Sequence, residues 1–86
     1  MGKVALTVRI MPDEAGIDME ALKERVLGVI PEYVQLVKAE ERPIAFGLVA
    51  LVIQLIMPDQ SPDELLETIG GVERVENVEV EDLSLI

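Results

Sequence analysis

The stretch from Leu48 to Met57, Leu-Val-Ala-Leu-Val-Ile-Gln-Leu-Ile-Met, constrains the fold of this chain more than any other part of it. Both alternating sets of side chains are aliphatic, with Gln54 the one polar residue, as a strand in the middle of a sheet requires. Counted from Phe46, the apolar run has twelve residues, against the ~20 that a helix needs to cross a bilayer, so no membrane is implied. Pro58 and Asp59 turn the chain after the strand. Before it, Pro43 and Gly47 flank a turn that carries the chain's single Phe, so Arg42 to Met57 joins a buried strand to an unusual turn.

The remaining segments supply the strand's neighbours. Lys3 to Met11 alternates, with Val4, Leu6, Val8 and Ile10 on one side and Ala5, Thr7, Arg9 and Met11 on the other, a strand with one buried face that Pro12 ends. Asp13 to Gly16 is a polar turn, and Asp18 is placed to accept backbone hydrogen bonds as a helix N-cap. Met19, Leu22, Val26 and Val29 or Ile30 then recur at helical spacing until Pro31. Val34 to Glu41 is a strand near a sheet edge, because Lys38, Glu40, Glu41 and Arg42 discourage further pairing. Ser61-Pro62-Asp63-Glu64 predicts a capping box, with Ser61 on the amide of Glu64 and Pro62 at the first helical position. Leu65, Leu66 and Ile69 form that helix's buried side, and Gly70 and Gly71 end it in the left-handed cap conformation. From Val72 to Ile86 the pattern alternates, then changes phase at Asp82, which predicts a bulge near Glu81 and Asp82.

The order is β-α-β-β-α-β. Right-handed crossovers then give an α+β ferredoxin-like sandwich, a four-stranded antiparallel sheet with two helices on one face and the first and third strands in the centre. That architecture leaves an apolar stripe without a helix over it. Val49, Leu51, Ile53, Leu55 and Met57 share one side of the central strand, Leu48, Ala50, Val52, Gln54 and Ile56 the other. The uncovered set is hidden by strand twist and long neighbouring side chains, or else by a twin subunit in a homodimer through the open sheet face, a partner protein or the terminal segments. Periodicity alone does not say which set faces the helices.

Composition excludes several function classes. The 86 residues are enough for one domain, residues 1–86, with one core. Cys and His are both absent, which removes disulfides, thiol nucleophiles and imidazole acids, bases or ligands, and no cofactor is expected. The opening Met-Gly-Lys-Val-Ala-Leu has no apolar leader region, and Leu6 stands where a myristoylation pattern wants Ser or Thr, so the reading is cytoplasmic. A net charge of -10, with seven Lys and Arg scattered from Lys3 to Arg74, repels a phosphate backbone and argues against direct nucleic-acid binding. The excess carboxylates fit a solvated surface, or more sharply a docking face for a basic protein. Asp13, Glu14 and the Asp59 turn are better read as solvated surface than as an acid-base pair. Ser61 and Ser84 have no base beside them in sequence, and Gly70-Gly71 lacks the Lys, Ser or spacing of a phosphate loop.

Several segments together resemble a known family. Val-Arg-Ile-Met-Pro-Asp in the first strand, Asp-Met-Glu-Ala-Leu-Lys in the first helix, Ile-Pro-Glu after it, and above all Pro43-Ile44-Ala45-Phe46-Gly47-Leu48-Val49-Ala50-Leu51 resemble archaeal translation elongation factor 1-beta. Gly71-Val72-Glu73 and Val78-Glu79-Val80 extend the match to nearly the whole chain. The resemblance implies a guanine-nucleotide exchange factor for the GTPase elongation factor 1-alpha, a partner rather than a substrate, with no bond made or broken. Eukaryotic relatives of the family have a Gly-aromatic-Gly turn before the third strand, whose aromatic inserts against the GTPase. Ala45-Phe46-Gly47 holds the matching place, which marks Pro43, Ala45, Phe46 and Gly47 as contacts, and Phe46 as a rigid apolar anchor.

Two departures from those relatives qualify the likeness. A lysine pair follows the turn there, and Val49 and Ala50 stand here; a penultimate lysine reaches the magnesium and phosphate region there, and Leu85 followed by Ile86 stands here. No Lys or Arg follows Arg74, so the lysine mechanism does not carry over, the magnesium-displacing group is left unassigned, and the C-terminal contacts Leu85 and Ile86 offer only apolar surface and a terminal carboxylate. The alternative is a ferredoxin-like dimerising or small-ligand-binding regulatory module. An acylphosphatase-type enzyme is disfavoured because Pro12-Asp13-Glu14 stands where its Arg-bearing phosphate loop belongs, and an RNA-binding sheet lacks aromatics and positive charge.

Overall fold

In the computed structural model, which describes residues 2–86, the alternating N-terminal run forms β1 (Lys3–Pro12). Five elements follow: α1 (Met19–Val29), β2 (Gln35–Ala45), β3 (Leu48–Pro58), α2 (Asp63–Gly70) and β4 (Val75–Leu85). The strands form one sheet in the order β2-β3-β1-β4, with every neighbouring pair antiparallel. This is the ferredoxin-like α+β fold, with the two most apolar strands in the centre.

The register settles which stripe faces the helices. Val4, Leu6, Val8 and Ile10 of β1 pair with Met57, Leu55, Ile53 and Leu51 of β3, and all eight are buried. Leu22 and Val26 of α1, Leu65 and Ile69 of α2, and Val34 before β2 complete the same core cluster. Each fully buried aliphatic side chain stabilises the fold by about 1.5–3 kcal/mol, so the core rests on aliphatic packing without any aromatic. No helix of the described residues is long and apolar enough to cross a membrane.

Local sequence sets most of the boundaries. Asp18 accepts from the amides of Glu20 at 3.0 Å and Ala21 at 3.3 Å, which gives two first-turn donors a partner. Ile30, at the C-cap, is extended because Pro31 clashes with a helical residue before it. Two expected caps differ. The Ser61 hydroxyl accepts from the amide of Asp63 at 3.3 Å rather than from Glu64, and Pro62 is the N-cap rather than the first helical residue. The helix starts one residue later than the capping box assumed, which carries the Ser61 hydroxyl out of reach of its intended amide. At the other end Gly71 keeps a right-handed backbone, φ -85°, and donates back to the last turn of α2; the left-handed residue is Arg74 instead, φ 75°.

Strand β2 runs on to Ala45, four residues past the expected end at Glu41. Pro43 is tolerated there because β2 is an edge strand, where a missing amide donor leaves no partner unsatisfied. Both edge strands are irregular. Register shifts leave Val37 and Ile44 as extra residues in β2, and Glu76 and Glu81 as extra residues in β4, so Glu81 is the bulge expected from the phase change. Bulges on both outer strands twist the open backbone away from further pairing.

The second face of the sheet is roofed at one end by its own side chains. Arg42 of β2 donates from Nη1 to both carboxylate oxygens of Glu81 in β4, at 2.9 and 2.8 Å, so the pair spans β3 and β1. Arg9 of β1 pairs with Glu79 and lies 3.7 Å from Glu81, and Arg42 also lies 4.0 Å from Glu40. Beneath this lattice Ala50 is 0% and Val52 2% exposed, although no helix covers them. Long neighbouring side chains therefore hide that part of the second stripe. Further along, Leu48 and Ile56 are half-buried and Gln54 is exposed.

Candidate functional site

The turn between β2 and β3 is a two-residue hairpin. Ala45 pairs with Leu48, and the residues between them, Phe46 and Gly47, have φ of 52° and 81°. Positive φ at both positions defines a type I′ turn, whose twist matches the flanking strands. Asn-Gly is the sequence this turn prefers; a phenylalanine in its first position is strained. Gly47 fits its own position without such strain. The Phe46 ring lies wholly in solvent, 101% exposed, with its one large apolar surface presented outward.

Phe46 stands over an open groove of about 560 Å³. Met11, Pro12 and Leu48 supply apolar lining from the ends of the two central strands, and Asp13, Glu14 and Ala15 form the wall from the β1–α1 turn. Glu76 and Asn77 close the third side, where the bulge at Glu76 re-aims the start of β4. A Cβ placed on Gly47 would lie 3.9 Å from that of Ala15, so the hairpin tip faces the β1–α1 turn with room for no more than a methyl group between them.

The site residues expected from sequence fall into two separate groups. Pro43, Ala45, Phe46 and Gly47 lie together at the hairpin end, all exposed. Leu85 and Ile86 lie at the opposite end of the sheet: Leu85 pairs with Val4, and the Ile86 amide donates to the carbonyl of Lys3 at 2.9 Å. β1 separates the groups by about 30 Å at the usual rise per strand residue, within a molecule 42 Å long. Leu85 and Ile86 are 73% and 70% exposed, so the C-terminus also presents apolar surface. Val49 and Ala50, the places of the absent lysine pair, point to opposite faces, and neither offers a charge.

Arg74 was missed by sequence reasoning. It pairs with Glu14 and lies 3.4 Å from Asp13, and the Glu14 hydrogen bond followed by the Asp13 charge raises its guanidinium pKa above the ordinary value. Asp59, grouped with Asp13 and Glu14 only by charge in the sequence, is at the far end, where its amide donates to Gly2. Nothing in local spacing announces a pairing between positions sixty residues apart.

Known proteins agree with this architecture. Residues 5–86 match the EF-1 guanine nucleotide exchange domain, and the chain belongs to that family of exchange domains. Among its relatives are the elongation factor 1-beta proteins of Methanothermobacter thermautotrophicus, 41% identical over 96% of each chain, and of Archaeoglobus fulgidus, 38% identical over the full length of both. The elongation factor 1-beta of Pyrococcus horikoshii is 43% identical over 92% of this chain and 90% of its own. Among solved structures, the C-terminal domain of the MgtC protein from Mycobacterium tuberculosis superposes with a TM-score of 0.71 at 13% identity, over 99% of this chain and 89% of that one. That likeness is one of fold alone.

Proposed function

We propose that this protein promotes exchange of GDP for GTP on the GTPase elongation factor 1-alpha, with Phe46 as the anchor of the contact. Membership of the exchange-domain family supports the activity. The observation that carries the residue assignment is the Phe46 ring, fully exposed on a strained turn above an apolar groove. A large ring held in water at the expense of backbone strain gains its compensation when a partner covers it.

The mechanism needs no bond chemistry in this chain. A protein that binds the GTPase more tightly when nucleotide and magnesium are absent must, by linkage, lower nucleotide affinity by the same factor. Pro43, Ala45 and Gly47 shape the hairpin contact around Phe46. Leu85 and Ile86 form a second contact at the far end of the sheet, and no cation of β4 is available to it. The partner is a protein, without direct contact to nucleic acid or membrane, and the setting is the cytoplasm, where translation runs.

The test is release of a fluorescent GDP from the cognate elongation factor 1-alpha in a stopped-flow instrument. Wild-type protein should accelerate release in a saturable way. An unchanged release rate at saturating concentration would reject the proposal.

A further inference from the structure

The wall of the groove beneath Phe46 is held from behind by one residue. Arg74, in the connection between α2 and β4, bonds Glu14 through Nη2, lies 3.4 Å from Asp13 Oδ1 through Nε, and accepts the Asp13 amide on its own carbonyl at 3.0 Å. Its backbone sits at φ 75°, a region that strains any side chain with a Cβ. Glycines stand nearby at positions 70 and 71, yet the left-handed place itself holds an arginine. An arginine kept where glycine fits better indicates that its side chain matters more than the local backbone energy. The next residue of the clamped turn, Ala15, faces the hairpin at Gly47, where an added Cβ would lie 3.9 Å from the Ala15 Cβ. Arg74 thus holds Asp13 and Glu14, and these with Ala15 line the same groove as Ala45 and Phe46 of the hairpin.

We propose that Arg74 is a positioning residue: by clamping Asp13 and Glu14 it holds the Asp13–Ala15 wall against the hairpin tip and fixes the direction in which Phe46 meets the GTPase. The functional half rests on the exchange reading above; the structural half does not. Three variants separate the clamp from its charge. Arg74→Gly suits the left-handed backbone, should fold with a melting temperature at or above that of wild type, and makes the groove more acidic. Asp13→Asn with Glu14→Gln breaks the same clamp and makes the groove less acidic. Arg74→Lys keeps a cation but loses the forked geometry of the guanidinium.

In the GDP-release assay, both clamp-breaking variants should raise the half-saturating concentration by roughly two- to thirty-fold while leaving the maximal release rate intact, and Arg74→Lys should recover part of the loss. In NMR spectra of the free protein, the nuclear Overhauser contact between the Ala15 methyl and the Gly47 α protons should weaken in both. Half-saturation moving in opposite directions would show that only the local field matters, and would overturn the proposal. An unchanged Ala15–Gly47 contact would overturn it as well. If wild-type protein itself fails to speed GDP release, the exchange reading falls, and the NMR contact still decides the clamp: weakened in both variants it stands, retained it does not.

Discussion

Replacing Phe46 with alanine separates folding from binding, because the ring makes its contribution outside the folded chain. At 101% exposure it buries nothing in the free protein, and alanine retains the Cβ that strains the φ of 52°, so folding stability should change by less than about 0.5 kcal/mol. Covering a phenyl ring on a partner is worth about 1.5–3 kcal/mol, which corresponds to roughly 10- to 150-fold in the half-saturating concentration for GDP release. A titration of release rate against protein concentration, with circular-dichroism melting alongside, measures both quantities. Phe46→Asn sharpens the comparison, since asparagine tolerates left-handed backbone: it should melt higher than wild type and still lose exchange. A half-saturating concentration within about twofold of wild type for a folded Phe46→Ala protein would refute the anchor, because covering even part of the ring is worth more than that.

Other perturbations test other layers. Ile53→Ala empties a fully buried position of β3 and should destabilise by about 2–5 kcal/mol in urea unfolding, a large share of the total for a domain this small. Arg42→Ala opens the roof over Ala50 and Val52, but the Arg42 and Glu81 side chains are 44% and 25% exposed, so the loss should stay below about 1 kcal/mol and shrink further in high salt. A double-mutant cycle with Glu81→Ala checks that value. Deleting Ile86 removes a half-free terminal residue with one backbone hydrogen bond to Lys3 and should leave melting nearly unchanged while slowing maximal GDP release. Unaltered release from that truncated protein would remove the C-terminus from the proposed contact.

The sequence was most legible where one local pattern decides the outcome. Alternation placed β1, unbroken aliphatic residues placed β3 in the centre, Asp18 capped α1, and the phase change at Asp82 located the Glu81 bulge. It was less legible where two residues compete for one role. Ser61 and Pro62 both fit a helix start; Pro62 takes the N-cap place, and the Ser61 hydroxyl accepts from Asp63. Gly71 and Arg74 lie three residues apart, and the left-handed backbone fell to the arginine because the tie to Asp13 and Glu14 is made there. The charges of Val34 to Glu41 marked an edge strand, whereas its continuation past Pro43 to Ala45 followed from the pairing with β3. The prominence of Phe46 was visible as the single Phe, set in a turn, whereas its groove is assembled from β1, the β1–α1 turn and β4, and only the folded register brings these together.

The separation of Phe46 from the C-terminus gives the sheet the character of a ruler. Its graduation is the strand residue, about 3.3 Å, and the zero is set by the hairpin at Phe46. Adding one residue to a central strand would turn its buried side chains outward, while adding two would restore every face and lengthen the rule by about 7 Å. The span between the two ends can therefore change only in paired steps. A partner that touched both ends would meet them at this fixed spacing, set by the paired core residues of β1 and β3.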